Sequence, residues 1–451
     1  PRNRVVMGLG ELSGFSKEER NGLADLLTAM IERGEMAFCS NSKVQDAALR
    51  YYNEYLENRR KALLAAEAEE KLREAARLEA ERRRRETVPV KLSSLRQTTA
   101  RHVGAENVCL DTIRKLGIRP FLLSHGFNGK QADTAVMQII ARAIYPGSEL
   151  RTVRCLQENS ALCELLGIHP EDITKDTLYR SARKLWNIHR EMEDHLHARV
   201  VDMFNIEEKI YLFDLTNTYF EGRMEESELC AYGHSKEKRD DCKIVVLAAV
   251  VNTEGLLVRT EIFEGNRQDV TTLQEVIGSL DDGLSRTRRI VVMDAGFSSE
   301  ANLEWLRTTL DSRDETSIWT FYNVIRTVEE TFKTLKTDLD IRPVFHKTDE
   351  GTKAHLNLAV LAYWIVSTTR YRLRESGITV RWSELLRILS TQVRVTAVFE
   401  TDNNHRIAIR RSTEPESKVE AIYTALDISS CSVVRLKSVV HPKEPPEKSG
   451  G

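Results

Sequence analysis

"KIYLFDLTNTYFEG", residues 209–222, is the stretch on which the fold turns. Ile210, Tyr211, Leu212 and Phe213 form an unbroken apolar run, so Lys209 to Phe213 predicts a buried β-strand. The strand is expected to end on a carboxylate, Asp214, followed by Thr216, Asn217 and Thr218. A turn-former closing a strand is the bland account of that acid. The run "RRIVVMDAGF" at 288–297 repeats the arrangement with Asp294. A second acid at the end of a second apolar run asks for more than a turn.

The intervening sequence supplies the order of elements. Lys243–Val251 and Leu256–Phe263 predict two strands joined by "NTEG", a hairpin signal. A helix is expected over Thr271–Leu280, capped near Asp269. Antiparallel strands, a helix and one more strand match the order of the ribonuclease-H-like fold, whose first and fourth strands are adjacent and parallel. Asp214 and Asp294 would then lie side by side. At ~4 Å and an effective dielectric of ~20, two carboxylates repel by about 4 kcal/mol. A divalent cation held by hard oxygens relieves this, and Mg²⁺ is the natural choice.

A third carboxylate is sought on a following helix, in "FYNVIRTVEETFKTLKTDLDIRPVFH" at 321–346. Seven α-helical residues fall about 20° short of two turns, so Tyr322, Glu329 and Lys336 are expected on one face. Val328, Phe332 and Leu335 make the apolar stripe that would press this helix on a sheet.

Composition sets the outer bounds. The 451 residues carry a net charge of −2, with 41% hydrophobic and 30% charged residues; two to four domains are expected. A near-neutral chain can still bind nucleic acid through local patches, such as the four arginines at 82–85. The longest apolar run, 358–366, is too short to span a bilayer. Scattered cysteines without a CxxC pair suit reduced thiols and a cytoplasmic setting. Cys230, His234 and Cys242 are too few for a closed zinc site. The sequence starts at Pro1 rather than Met, so a preceding segment is allowed for, and no signal peptide is evident.

Five segments are expected: a small strand (Arg4–Leu9) and helix (Lys17–Arg33, capped by Ser16) in 1–40; a charged helical arm in 41–90; a helical DNA-binding region in 91–205; a catalytic domain in 206–375; and a helix–hairpin segment with a disordered tail in 376–451. The arm shows a brief heptad at Leu49, Leu56 and Leu63 that suits either a solvated helix or a coiled coil. Within 91–205, Ala135, Ile139 and Ile140 share one helical face. Residues 174–204 predict one long helix capped by Thr174, and Arg180, Arg183 and Lys184 are candidates for a DNA groove. His355 and the helix around it are expected to be structural. The fold class is thus α/β with large all-α portions: a ribonuclease-H-like mixed sheet, an N-terminal helical region and a long helical arm.

Asp214, Asp294 and Glu329, with Tyr322 and Lys336 flanking the glutamate, resemble the DDE transposases of bacterial insertion sequences, in particular the subgroup with a Y-x2-R-x3-E-x6-K signature. The arginine position holds Ile325, with Arg326 one residue on. "FEGNRQDVTTL" at 263–273 and "DAGFSSEANL" at 294–303 are also similar to segments of this family. The resemblance implies a two-metal site on Asp214, Asp294 and Glu329, with Mg²⁺ as cofactor and Mn²⁺ able to substitute. It implies cleavage at element ends and strand transfer into target DNA. Lys336 and Tyr322, with Arg326 and Lys243 as weaker candidates, would contact phosphates. The implied partners are double-stranded DNA and a second copy of the chain in a DNA synapse, with no membrane. A nuclease without strand transfer and an inactive DNA-binding remnant are the alternatives.

Only 34 residues separate Asp294 from Glu329, where the subgroup usually carries a β-rich insertion. "SIWTFY" at 317–322 is the one candidate for a fifth strand, and it overlaps Tyr322. The expectation is that 317–322 is helical, that the fifth strand and insertion are missing, and that full transposition is weak or absent.

Overall fold

The computed structural model describes residues 12–33, 39–82, 90–206, 210–220, 224–233, 241–278, 280, 290–293, 329–401, 405–429 and 436–440. The expected strand at Arg4–Leu9, the arginines at 83–85, His234, Asp294, the expected helix at 317–322, Tyr322, Arg326 and the C-terminal tail lie outside them.

The chain divides into two compact units. In the first, helices α1 (Lys17–Arg33) and α2 (Ser42–Arg82) pack through Leu23, Leu27, Met30, Val44, Ala48 and Tyr51. Ser16 caps α1 as expected: its hydroxyl accepts from the Glu19 N–H at 3.2 Å while the Glu19 carboxylate accepts from the Ser16 N–H at 2.8 Å. The α1–α2 core stops near Tyr55, and Leu56 is 42% exposed. The heptad leucines therefore do not form a continuous buried seam.

Among the described residues, the second unit holds two four-stranded sheets and most of the helices. Strand β1 (Lys91–His102) comes first, so the segment expected to be helical from 91 begins with a strand. Helices α3 (Gly104–Lys115), α4 (Ile118–Ser124), α5 (Gly129–Ile144), α6 (Glu149–Glu158) and α7 (Leu162–Leu166) come next. Ala135, Ile139 and Ile140 of α5 are fully buried, as their spacing predicts. The single long helix expected over 174–204 is two, α8 (Lys175–Trp186) and α9 (His189–Phe204). Thr174 does cap the first, accepting from the Thr177 N–H at 3.2 Å. The break falls where His189 stacks on Trp186 and its Nδ1 bonds the Trp186 carbonyl at 2.7 Å, competing with the helical ladder.

The first sheet contains β2 (Ile210–Tyr219), β3 (Ile244–Asn252), β4 (Leu257–Glu264) and β5 (Ile290–Met293), in the order β4-β3-β2-β5. β2–β3 and β3–β4 are antiparallel, while β2–β5 is parallel. Helix α10 (Asp269–Gly278) lies between β4 and β5 in sequence. One expectation needs correcting: β2 does not end at Asp214. It continues to Tyr219, because every residue from Tyr211 to Tyr219 has a partner on the wholly buried strand β3. Thr216, Thr218 and Tyr219 are good strand formers once such a partner is present.

Helix α11 (Asp349–Glu375) runs through the core, with every residue from 354 to 369 buried. A helix apolar all round must be packed on all sides, and α11 touches α3, α5, α8, α9 and β4. After α12 (Trp382–Leu389) come β6 (Val393–Glu400), β7 (Arg406–Ser412), α13 (Ser417–Ala425) and β8 (Leu436–Val440). The hairpin expected within 376–451 is present as β6 and β7, but as the centre of a second sheet, ordered β1-β6-β7-β8.

Candidate active site

Asp214 sits mid-strand and half-buried, and its Oδ1 accepts from the Leu215 N–H at 2.7 Å. Side chains alternate along a strand, so Leu212, Asp214, Thr216 and Thr218 share a face with their β3 partners Val251, Ala249, Leu247 and Val245. That face looks into the main core, which also contains Phe332, Leu335, Leu339 and Ile341. The parallel register pairs Ile210 with Ile290 and continues to Phe213 with Met293. The next residue of β2 is Asp214, and the described part of β5 stops one residue short of Asp294.

Glu329 is exposed and opens the next described segment, helical over 329–333. Two anchors lay this segment against the sheet. At its start, the Thr331 hydroxyl meets the Tyr363 hydroxyl at 2.9 Å, and Tyr363 donates to the Gly255 carbonyl at 2.8 Å. Gly255 lies in the turn beyond Asn252, the residue opposite Tyr211. At its end, Thr218 donates to the Ile341 carbonyl at 3.2 Å and the Val344 N–H to the Tyr219 carbonyl at 3.0 Å. The segment therefore passes along β2 from the Tyr211 end to the Tyr219 end, on the side that Asp214 faces.

The α-helical spacing assumed between Glu329 and Lys336 holds only up to Thr334, where the helix widens. Thr334–Asp338 form a wide, π-type turn in which the Leu339 N–H donates to the Thr334 carbonyl at 3.0 Å. The extra residue shifts the residues beyond Leu339 by about 100° relative to a continuous α-helix. Lys336 is half-buried within this turn. The Lys243 ammonium donates to the Met224 carbonyl at 2.6 Å. Of the groove candidates, Arg183 faces Glu350 at 3.6 Å, and Lys184 donates to the Gly126 carbonyl and to Gln131.

Residues 208–365 match the family model for the transposase DDE domain. This segment is similar to that domain over 158 of the 451 residues. The matched span covers β2 to β5, contains Asp214, Asp294 and Glu329, and ends inside α11. No curated protein and no solved structure matches the chain.

A second cluster lies where the matched segment meets the preceding helices. Ligand atoms of Glu149, His346 and His355 all fall within 4.8 Å of one another, a donor set that could hold a metal. His346 Nε2 is 3.3 Å from Glu149. Arg142, however, stands 3.2 Å from His355 Nε2, and its guanidinium also donates to the Asp340 and Gly147 carbonyls. Arginine offers only donors, so Nε2 is the acceptor and carries no proton. A cation therefore already occupies that lone pair, and a divalent ion would have to displace it. Burial lowers the Arg142 pKa to about 10 and, aided by Arg142 and His346, holds His355 well below its ordinary value. For Glu149, burial pushes the pKa up, but the His346 bond and charge outweigh it and leave the pKa lowered. The cluster ties α5 and α6 to the start of α11. Sequence reasoning placed His355 in a structural role but could not find Arg142 or Glu149, which approach it only through tertiary packing.

Another missed contact docks α9 on the sheet edge. Glu193, 1% exposed, bonds the Thr260 hydroxyl, while Arg259 pairs with Asp194 at 2.7 Å.

Proposed function

We propose that this chain is a DNA transposase with a ribonuclease-H-like core, cutting DNA at element ends and joining the 3′-OH to target DNA. The observation that supports it is the parallel pairing of β2 and β5, which runs to Phe213 and Met293, the residues just before the two aspartates. Asp214, Asp294 and Glu329 would hold Mg²⁺, or Mn²⁺ in its place; their hard carboxylate oxygens suit either ion. Bound there, the metal would supply Lewis acidity for activating water and steadying the leaving 3′-oxygen. The chain's own part is placement. Asp214 is fixed by a paired strand, and the Glu329 segment by its two anchors on the same side of the sheet. Lys336, Tyr322 and Arg326 would meet the phosphates beside the cut. Lys243, with one ammonium donor on the Met224 carbonyl and two more to offer, is a weaker candidate for the same contact.

The remaining roles belong to the same reading: residues 91–205 contribute to DNA binding, two copies meet in a synapse, and the protein acts in the cytoplasm. Among the described residues, no helix is long and apolar enough to cross a membrane.

The test is nicking of a supercoiled plasmid in Mg²⁺ against a chelator. Asp214→Asn, Asp294→Asn and Glu329→Gln should each remove cleavage, a drop of at least about 100-fold, while duplex binding and the thermal midpoint persist. Each change removes a metal-binding charge at nearly constant shape. A variant that nicks at near-parental rate removes that residue from the site. Joining of a labelled 3′-OH end to plasmid separates transposase from simple nuclease.

A further inference from the structure

The second sheet concentrates positive charge on one face. Strands β1, β6 and β7 contain a single carboxylate, Glu400. Their register sets Lys91 opposite Glu400 and Glu400 opposite Arg406, Thr98 opposite Thr396 and Thr396 opposite Arg410, and Arg101 opposite Arg394. Arg96 pairs with Val398 in the same parity. Directly opposed residues of antiparallel strands share a face, so Lys91, Arg96, Arg101, Arg394, Arg406 and Arg410 all lie on one side. The chain as a whole has a net charge of −2, so this face is set apart from it.

The face is closed at one end and open at the other. Arg394 is 4% exposed and shares the Glu164 carboxylate of α7 with Arg410. Two guanidiniums on one carboxylate leave positive charge uncompensated. Burial lowers the Arg394 pKa, Glu164 opposes this, and the Arg410 and Arg101 charges add to the lowering. Toward the other end Arg96 is exposed, and Arg406 is 66% exposed with Glu400 3.8 Å away. The register from Arg394 to Glu400 covers about 20 Å along the strand. A duplex of that length presents about 12 phosphate charges. The opposite face differs: Val395, Ala397, Phe399, Ile407 and Ile409 lie there, with Arg411 as the basic residue of β7.

We propose that the basic face of the β1-β6-β7 sheet, led by Arg96 and Arg406, docks on the phosphate backbone of duplex DNA without reading its sequence. This deepens the proposal that DNA is the partner and rests on it. The sheet would hold a stretch of duplex in place through charge alone, outside the three-acid site. Because β1 precedes the helical region and β6–β7 come after the transposase domain, the surface exists only when the two ends of this unit are paired.

The test is a fluorescence-anisotropy titration of the full chain with a 30-base-pair duplex of arbitrary sequence, in chelator, over a range of salt. The double variant Arg96→Gln/Arg406→Gln should flatten the slope of log affinity against log salt by about two units, one for each lost phosphate contact. Arg411→Gln, the loss of one charge on the opposite face of β7, should leave the slope unchanged, where Arg406→Gln alone should flatten it by about one unit. Unaltered thermal midpoints report that the variants fold. A parental slope in the double variant overturns the sheet as a docking face and leaves the transposase reading standing. A slope flattened by about one unit in Arg411→Gln, as in Arg406→Gln, overturns it too, since charge without position would then suffice. A parental chain that fails to bind duplex at all sinks both readings.

Discussion

His355 shows how one buried ring couples the fold to pH. Burial, with the Arg142 and His346 charges beside it, keeps its pKa well below the ordinary value of 6.5. Where the unfolded chain takes up a proton, the folded chain keeps this ring neutral, so Nε2 continues to accept from Arg142. The stability from that difference is complete above pH 6.5 and is lost as pH falls below it. His355→Asn retains an acceptor for Arg142 but removes the titration. The variant should be less stable at pH 7, and the gap to the parent should narrow toward pH 5 by up to about 1.4 kcal/mol per pH unit. Urea unfolding at pH 7, 6 and 5 measures this, and a gap that does not move with pH would show that the ring does not titrate as described.

At the scale of elements, the segment that carries Glu329 depends on a relay through the centre of the unit. Tyr363 is buried, and burial raises its hydroxyl pKa to about 12, so it stays a donor at any working pH. It joins Thr331 to Gly255 and thereby one end of the Glu329 segment to the β3–β4 turn. Tyr363→Phe leaves two buried polar groups without that oxygen and should cost about 1–3 kcal/mol, read as a lower urea midpoint. Nicking should fall with it, because Glu329 loses one of its two anchors; parental nicking in a destabilised variant would separate the relay from the site. The strand order and the pairing of β2 with β5 were legible because buried strands announce themselves as unbroken apolar runs. The continuation of β2 was not, since "DLTNTY" becomes a strand only with β3 beside it. β1 was read as part of a helical region because "KLSSLRQTTARH" is polar and largely exposed, and its partner lies some 300 residues away. Glu329 and Lys336 were read onto one helical face by a seven-residue spacing, and the widening of the helix at Thr334–Asp338 carries no signal of that kind in the sequence.

Across the whole second unit, the matched transposase segment is not closed on itself. Its last helix, α11, is buried on every side from 354 to 369, and α3, α5 and α8, which cover part of it, precede the domain in sequence. Strand β4 is held from outside by α9 through Glu193, Thr260 and Arg259. The far sheet closes only when β1 meets β6. Trp364, fully buried, shows what is at stake, because truncating a buried tryptophan costs about 3–5 kcal/mol and removing whole covering helices costs more. A fragment of residues 206–375 should therefore fail to reach a native state: strong binding of a hydrophobic dye, no near-ultraviolet dichroism and no cooperative melt. Residues 90–440 retain both sheets and every helix packed on α11, and should melt in one cooperative transition. A fragment 206–375 that is monomeric, with sharp near-ultraviolet signals and its own transition, would show that the preceding helices are an independent domain and that α11 finds its cover within the matched segment.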